Sequence, residues 1–149
     1  EADPEVPPIL ADRAKVRDIT ENLLQNAIRF TNDGGAIRVR LMRVGAHAVR
    51  LTVENEGAQI PPEDVEHLFE PFFCATNVMT HSTGEGYLQR GVGLGLAIVQ
   101  HFARLHGGEA CVRAGESGPI FEVTLPVGES ATDRAPDRGS GPAPASSVG

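Results

Sequence analysis

Residues 90–108 read RGVGLGLAIVQHFARLHGG. Glycines at alternate positions, Gly91, Gly93 and Gly95, lead directly into an amphipathic segment that ends at a glycine pair. Because glycine has no Cβ, backbone N–H groups at these positions can approach an anion closely, and the helix that follows adds unpaired N–H groups and the positive end of its dipole. The stretch therefore predicts a helix start that binds phosphate. The alternative is a glycine-rich turn that only lets a helix pack tightly on a sheet.

The spelling of this stretch excludes two common nucleotide-binding motifs. A dinucleotide fingerprint GxGxxG would need glycine where the chain has Leu96, and no Walker A sequence is present. Lys15 is the only lysine in the chain, so neither a Walker lysine nor a strand-borne lysine is available for a β- or γ-phosphate. A bound nucleotide would therefore be held by backbone groups, asparagine and arginine.

Length and composition indicate one compact domain. The 149 residues are 40% apolar, which suits a single core, and the net charge of −7 argues against nucleic-acid binding. No run of 18 apolar residues and no secretory signal is present, so we expect a cytoplasmic location and no membrane contact by these residues, even if a longer protein is membrane-anchored. Cys74 and Cys111 lack metal-site spacing and are expected to be free thiols.

The first half of the chain predicts a helix followed by a hairpin. Asp12 can cap a helix over 13–30. One apolar stripe with helical spacing supports it: Val16, Ile19, Leu23, Ala27 and Phe30. Apolar and polar residues then alternate over 37–42 and 49–54, with Gly45 between them, which predicts two antiparallel strands joined by a turn.

The second half predicts a short helix that Pro61 and Pro62 open and Pro71 closes. A polar stretch of 17 residues follows over 74–90, longer than most connections inside a compact domain. The glycine-led helix should run to about His106, followed by strands at 109–114 and 120–125, with Gly107 as its left-handed terminator. The expected division is an extended lead-in at 1–8, a domain at 9–126 and a disordered tail at 127–149.

Several motifs stand in an order that is more specific than any one of them. They are Asn22-Leu-Leu-Gln-Asn26-Ala-Ile-Arg29-Phe30, Asn55-Glu-Gly57-Ala-Gln59-Ile60-Pro61, Leu68-Phe69-Glu70-Pro71-Phe72-Phe73 and Gly91-Val-Gly93-Leu-Gly95-Leu96. With this order, the chain resembles the ATP-binding catalytic domain of sensor histidine kinases over about residues 9–126. The four motifs correspond to that family's Asn box, first glycine-rich box, Phe box and second glycine-rich box.

The resemblance implies a fold and an activity. The fold is the α/β, two-layer Bergerat-type sandwich shared with gyrase, Hsp90 and MutL, with helices on one face of a mixed, mostly antiparallel sheet and a long ATP lid at 74–90. The activity is that of the Mg²⁺-ATP-binding part of a two-component histidine protein kinase. It would transfer the γ-phosphoryl group to a histidine on a separate helical dimerisation domain, absent from this chain, and act on a response regulator through the full-length protein. The isolated domain should bind ATP with little turnover.

The roles expected of the Asn box rest on its helical spacing and on the resemblance. Asn22 and Asn26 are four residues apart and share one helical face, where a side-chain carbonyl can coordinate Mg²⁺. The resemblance makes Asn26 the metal ligand and Asn22 a further nucleotide-binding residue. Arg29 can contact phosphate through its guanidinium group, and Phe30 can pack against adenine or simply end the apolar stripe.

The two glycine-rich boxes supply the other nucleotide contacts that the resemblance implies. They are Asn55, Gly57, Ile60, Gly91, Val92, Gly93, Leu94, Gly95 and Leu96. The first box departs from the family pattern, because Asn55 replaces the usual aspartate and Gln59 the usual second glycine. Asn55 can still accept a hydrogen bond from the adenine amino group, but it lacks charge, so we expect ATP binding to be weaker by about tenfold.

No catalytic residue is assigned within the chain. None of the five histidines, His81 in the lid included, lies in the setting expected of the family's phosphorylated histidine. Two alternative functions stay open at this point. The substitutions at Asn55 and Gln59 are compatible with a degenerate nucleotide-sensing or scaffold domain, and the same superfamily contains anti-sigma-factor serine kinases. A gyrase-like, MutL-like or Hsp90-like ATPase would need an acidic residue in place of Asn22 to activate water.

Overall fold

A four-stranded antiparallel sheet forms one layer of the structure, a computed structural model that describes residues 1–75 and 93–128. Its strands, in the spatial order β1-β2-β4-β3, are β1 (Ile37–Val44), β2 (Ala48–Asn55), β3 (Glu109–Ala114) and β4 (Pro119–Pro126). The predicted hairpin is confirmed: β1 pairs with β2 from Ile37 opposite Asn55 to Val44 opposite Ala48, and Gly45 turns the chain at φ +60°. The two C-terminal strands are also confirmed.

Helix α1 (Arg13–Phe30) begins and ends where the sequence predicts. The Asp12 carboxylate accepts hydrogen bonds from the backbone N–H groups of Ala14 and Lys15, which satisfies two of the four unpaired donors at the helix start. The hydrogen bond from the Lys15 side chain and these backbone bonds lower the pKa of Asp12. The apolar stripe points inward, and its middle residues are almost inaccessible to solvent: Ile19, Leu23 and Ala27.

Helix α3 (Gly95–Leu105) also follows the prediction, and Gly107 ends it with φ +73°. The short helix between them differs from expectation. Helix α2 spans only Pro62–Val65, and the chain continues through turns instead of remaining helical up to Pro71. Its carbonyl groups are bonded within tight turns, as when Asp64 accepts from the backbone N–H of His67. A helix of one turn gains too few hydrogen bonds to propagate.

The core lies between the helix layer and one face of the sheet. Ten buried apolar residues form it: Ile19, Leu23, Ala27, Val49, Val53, Val99, Ala103, Phe121, Val123 and Leu125. They come from α1, α3, β2 and β4, so the two central strands lie beneath the two long helices. This arrangement is the two-layer α/β sandwich expected from the sequence.

The opposite face of the sheet is polar and carries several ion pairs. Glu122 is buried there, accepting a hydrogen bond from Arg113 at 2.7 Å and lying 3.7 Å from Arg50. A depression of about 510 Å³ on this face is lined partly by Arg38 and Arg113. Arg38 is paired with Glu56 and Arg113 with Glu122, so both of these guanidinium groups are already engaged. The depression lies on the side of the sheet away from the helices.

The chain segments at both ends of the described domain are attached to the sheet. Ala2 forms an isolated parallel bridge with Leu41 on the outer edge of β1, whereas the pairings among the four strands are antiparallel. After β4, the backbone N–H of Val127 donates to the carbonyl of His47 at 2.7 Å. The predicted lid, except for Cys74 and Ala75, and residues 129–149 of the predicted tail lie outside the described residues.

A histidine joins the start of α1 to the end of α3. His106 Nδ1 lies 2.7 Å from the carbonyl oxygen of Phe102, and Nε2 accepts a hydrogen bond from the backbone N–H of Asp12 at 3.0 Å. The neutral imidazole with its proton on Nδ1 satisfies both contacts. His106 therefore has a structural role beyond marking the end of the helix.

The two cysteines, Cys74 and Cys111, are free thiols, as predicted, and both are exposed. None of the helices in residues 1–75 and 93–128 combines the length and apolar character that crossing a membrane requires.

We predict that Leu23→Ala lowers the free energy of unfolding by about 2–5 kcal/mol, because it leaves a cavity in a fully packed core. Ile28→Ala is the matched control, since Ile28 lies on the same helix with 69% of its surface exposed. It should change stability by less than about 0.5 kcal/mol. Urea unfolding followed by circular dichroism measures both values. Equal losses for the two variants would contradict this orientation of α1.

Candidate functional site

The orientation of α1 places Asn22 beside the start of α3, and Asn26 lies one turn further along α1. Each asparagine precedes a core residue, Asn22 before Leu23 and Asn26 before Ala27, so both are rotated by about 100° from the buried stripe. The Asn22 side chain donates from Nδ2 to the carbonyl of Asp18 at 2.8 Å. Its Oδ1 faces the first residue of α3, because a Cβ on Gly95 would lie 2.9 Å from that oxygen. A side chain at position 95 would therefore require this amide oxygen to move away from the helix start.

The other predicted residues of α1 lie further along the same helix. Asn26 is half-buried and forms none of the side-chain hydrogen bonds found within the described part of the chain. Arg29, in the last turn, is exposed. Phe30 is half-buried and stands outside the core cluster, and its carbonyl oxygen accepts a hydrogen bond from Asn55. Asn26 and Arg29 are therefore available to a ligand.

The start of α3 retains the properties that bind an anion. Leu94 occupies the N-cap position and offers no side-chain oxygen to the first N–H groups of the helix. Gly93, with φ +72°, accepts a hydrogen bond from the backbone N–H of Phe72 at 2.9 Å, and a Cβ there would lie 2.8 Å from the Phe72 backbone. Leu96 packs against the core. Gly91 and Val92 lie outside the described residues.

Asn55 ends β2 and points toward the helix layer, with the same parity as Val53. It is fully buried, and its Nδ2 donates to the carbonyl of Phe30 at 3.2 Å. Its Oδ1 has no hydrogen-bond partner among the residues that the structure describes. A buried acceptor without a donor costs about 1–3 kcal/mol, so this oxygen marks a position where a ligand or water donor would be stabilising.

The loop after β2 is attached to the turn between β3 and β4. Gly57 donates its backbone N–H to the carbonyl of Ser117 at 3.2 Å, and Gln59 donates from Nε2 to the carbonyl of Gly115 at 2.8 Å. Gln59, which departs from the family pattern, thus has a structural partner. Ile60 packs against the core.

Gly118 belongs to the same contact and was missed by sequence reasoning. A Cβ on Gly118 would collide with the carbonyl oxygen of Asn55 and would lie 2.9 Å from the backbone nitrogen of Gly57. The two glycines in this turn, at 115 and 118, were the only signal. Because glycine is common in turns of every kind, its presence there does not indicate a close contact with another loop.

Glu56 holds the base of this loop. Its carboxylate accepts from the backbone N–H of Ala36 at 3.1 Å and pairs with Arg38 at 2.8 Å. These two interactions, the backbone bond first, lower the pKa of Glu56. The backbone N–H of Glu56 also donates to the carbonyl of Ala36 at 3.0 Å. The residue that follows Asn55 is thus fixed through both its backbone and its side chain.

The Phe-box segment carries a second local ion pair. His67 Nδ1 lies 2.8 Å from Glu70 Oε1, and this hydrogen bond is the main cause that raises the pKa of His67. The imidazole ring also lies near the Phe73 ring, with 5.6 Å between the ring centres. Both side chains of the pair are exposed, so the interaction organises the turns after α2 without adding much stability.

The described residues thus include the groups that the sequence predicted for a nucleotide site: asparagines on α1, the uncapped start of α3 and, at the end of β2, a buried acceptor without a partner among these residues. Residues 11–129 match the protein family described as histidine kinase-, DNA gyrase B- and HSP90-like ATPase. The chain belongs to this family. The family assignment agrees with the sandwich fold and makes the chain an ATP-binding domain.

Relatives within the family are sensor kinases. The chain is 37% identical to the histidine protein kinase DivJ of Caulobacter vibrioides over 123 residues, which cover 78% of this chain and 18% of DivJ. The solved catalytic domain of histidine kinase ThkA has 31% identity and a TM-score of 0.70, covering 85% of this chain and 76% of that one. ThkA has also been solved in complex with the response regulator protein TrrA, with 30% identity and a TM-score of 0.66, covering 85% of this chain and 33% of that one. The chain spans about a sixth to a third of the length of its curated relatives.

These family members identify the chain as a catalytic domain of the sensor histidine kinase type. The geometry fits ATP in three respects. Asn22 Oδ1 meets the helix start, Asn55 Oδ1 lacks a donor among the described residues, and the positions around both side chains are occupied by glycines that a Cβ would fill. The depression on the outer face of the sheet has none of these features.

We predict that Glu56→Gln lowers stability at neutral pH and that this loss disappears in acid. Because the pKa of Glu56 is lowered in the folded chain, its contribution is present above the ordinary glutamate value of 4.5 and is lost as the pH falls through the folded pKa. Urea unfolding at pH 7, 5 and 3 measures the difference in free energy of unfolding between the natural chain and the Glu56→Gln variant. Glu21→Gln, at an exposed position of α1, is the control and should show no such trend. A constant difference at all three pH values would contradict the assignment.

Proposed function

We propose that this chain binds Mg²⁺-ATP between α1 and α3 and serves as the catalytic part of a longer kinase, which transfers the γ-phosphoryl group to a histidine on a separate helical dimerisation domain. The observation that carries the proposal is the meeting of Asn22 Oδ1 with the uncapped start of α3 at Gly95. A polar oxygen beside free N–H groups suits a ligand that combines a cation with phosphates.

Each residue would contribute a different kind of contact. Asn26 is half-buried and forms no side-chain hydrogen bond within the described residues, so it would offer its side-chain carbonyl oxygen to Mg²⁺. Asn22, one turn earlier, would help to orient the nucleotide. Arg29 would reach phosphate oxygens from the exposed end of α1. The backbone N–H groups at Gly95 and Leu96 would bind the phosphates, and Asn55 would accept a hydrogen bond from adenine.

These residues position the nucleotide and leave the attacking group to another domain. ATP itself supplies the phosphoryl group and, with its metal ion, the charge that the protein must orient. Nothing in the described constellation is a nucleophile for phosphate, since its side chains are amides, a guanidinium and an aromatic ring. Catalysis would therefore consist of placing and screening the phosphates until the histidine of the helical domain arrives.

We predict that Asn26→Ala lowers the affinity for a non-hydrolysable ATP analogue by at least about tenfold in the presence of Mg²⁺ and changes it little in EDTA. The metal dependence separates a ligand to the cation from a residue that only supports the fold. Isothermal titration calorimetry of the 149-residue chain measures both conditions. Asn32→Ala is the control, because Asn32 is exposed and follows the same helix.

An equal loss with and without Mg²⁺ would contradict the role of Asn26 in metal binding. A wild-type chain that binds no analogue under either condition would overturn the proposed function and leave a scaffold domain as the better description.

A second prediction concerns the product of transfer. Incubated alone with radiolabelled ATP, the chain should stay unlabelled, whereas a fusion to the histidine-bearing helical domain of a sensor kinase should become labelled on that histidine. The phosphoryl–nitrogen bond of phosphohistidine is lost in acid and survives in alkali, and phosphoserine behaves in the opposite way. Acid-stable label on a serine would contradict the proposal, and replacing the histidine of the fusion with alanine is the control.

A further inference from the structure

The two ends of the Asn55 carboxamide have different surroundings. Nδ2 donates to the carbonyl oxygen of Phe30 at 3.2 Å, and Oδ1 has no partner among the described residues. The side chain is completely buried, so no bulk water competes for either end. An amide in such a place is defined by which of its two ends has found a partner.

The Phe30 carbonyl prevents this amide from turning over. A rotation of 180° would bring Oδ1 next to the Phe30 oxygen, so two acceptors would face each other and the hydrogen bond would be lost. Gly57 covers the contact: a Cβ on Gly57 would collide with the Phe30 oxygen and would lie 2.9 Å from Asn55 Nδ2. The packing therefore leaves little room for a water molecule that could bridge two acceptors.

We infer that the carbonyl of Phe30 is a specificity-determining group, because it holds Asn55 with its acceptor end toward the ligand. An asparagine can either donate or accept, in contrast to the aspartate that is usual at this position in the family. We call the hydrogen bond from Asn55 Nδ2 to the Phe30 carbonyl the lock: it leaves Oδ1, which can only accept, as the end that meets the ligand. A purine with a 6-amino group is bound, and a purine with a 6-oxo group places its oxygen against Oδ1 and is rejected. The inference rests on the proposed function.

The lock also links base recognition to the phosphate end of the site. Phe30 is the last residue of α1, and Asn26 and Arg29 lie in the turn that precedes it. The helix that presents polar side chains to the cation and phosphates thus presents its terminal carbonyl to the residue that recognises the base. The base and the phosphates would both be recognised from this one rigid helix, so the helix would fix the distance between the two ends of the bound nucleotide.

The test compares three nucleotides by calorimetry with the full chain and Mg²⁺: ATP, inosine triphosphate and purine riboside triphosphate, which lacks a substituent at position 6. We expect affinity to fall in the order ATP, purine riboside triphosphate, inosine triphosphate, with at least about a tenfold difference between the first and the last. Equal affinity for ATP and inosine triphosphate would show that the amide turns over, and would overturn the lock while leaving the proposed function intact. Failure of all three to bind would overturn both.

A variant at Asn55 tests the lock without any nucleotide. Asn55→Asp replaces the donor by a carboxylate oxygen beside the Phe30 carbonyl, so the variant should be less stable than the natural chain at pH 7 and should recover part of that loss in acid, where the carboxyl group is protonated and can donate. Asn32→Asp makes the same chemical change at an exposed site and serves as the control. An Asn55→Asp chain as stable at pH 7 as the control would contradict the lock.

Discussion

The burial of one face of α1 is the constraint on which the rest of the site depends. Ile19, Leu23 and Ala27 are almost inaccessible to solvent, and a helix that buries three residues of one stripe cannot rotate about its axis. The residue before each core position is then directed to the edge of the core. In α1 these positions include Asn22, which lies beside the start of α3, and Asn26 one turn later. The same hydrophobic packing that stabilises the fold therefore orients the polar residues of the site.

Local patterns were sufficient to predict most elements of the fold. The Asp12 cap, the stripe of α1, the alternation in β1 and β2 and the glycine that ends α3 depend on residues within a few positions of one another, and each agrees with the structure. The short α2 is the exception, since its start signal at Pro61 and Pro62 was real and its length was overestimated. Pro71 limits where a helix can end, and a single turn gains too little to extend that far.

Contacts between distant parts of the chain could not be predicted in the same way. The sequence marked Asn55 and Gly57 as candidate site residues through the resemblance, but nothing in it indicated that the Phe30 carbonyl would bind Asn55 or that Gln59 would bond to Gly115. Backbone carbonyls have no sequence signature, because every residue carries one. The spatial order in which β4 lies between β2 and β3 is another such property. The sequence shows a close approach of two backbone segments only through glycine, as at Gly57 and Gly118.

An acidic chain that binds a polyanion must concentrate its attraction locally. The net charge is −7, and the only lysine is engaged at the start of α1, paired with Asp12 at 2.6 Å and placed over the Phe102 ring at 5.9 Å. Arg38 and Arg113 are paired on the outer face of the sheet. Besides Arg29 at the exposed end of α1, the proposed site would offer the ligand a set of oriented dipoles, the amides of Asn22, Asn26 and Asn55 and the N–H groups that begin α3. Dipoles act only at short range, so the proposed site would depend on shape and on a metal ion accompanying the anion, and the acidic surface would repel anions that arrive without one.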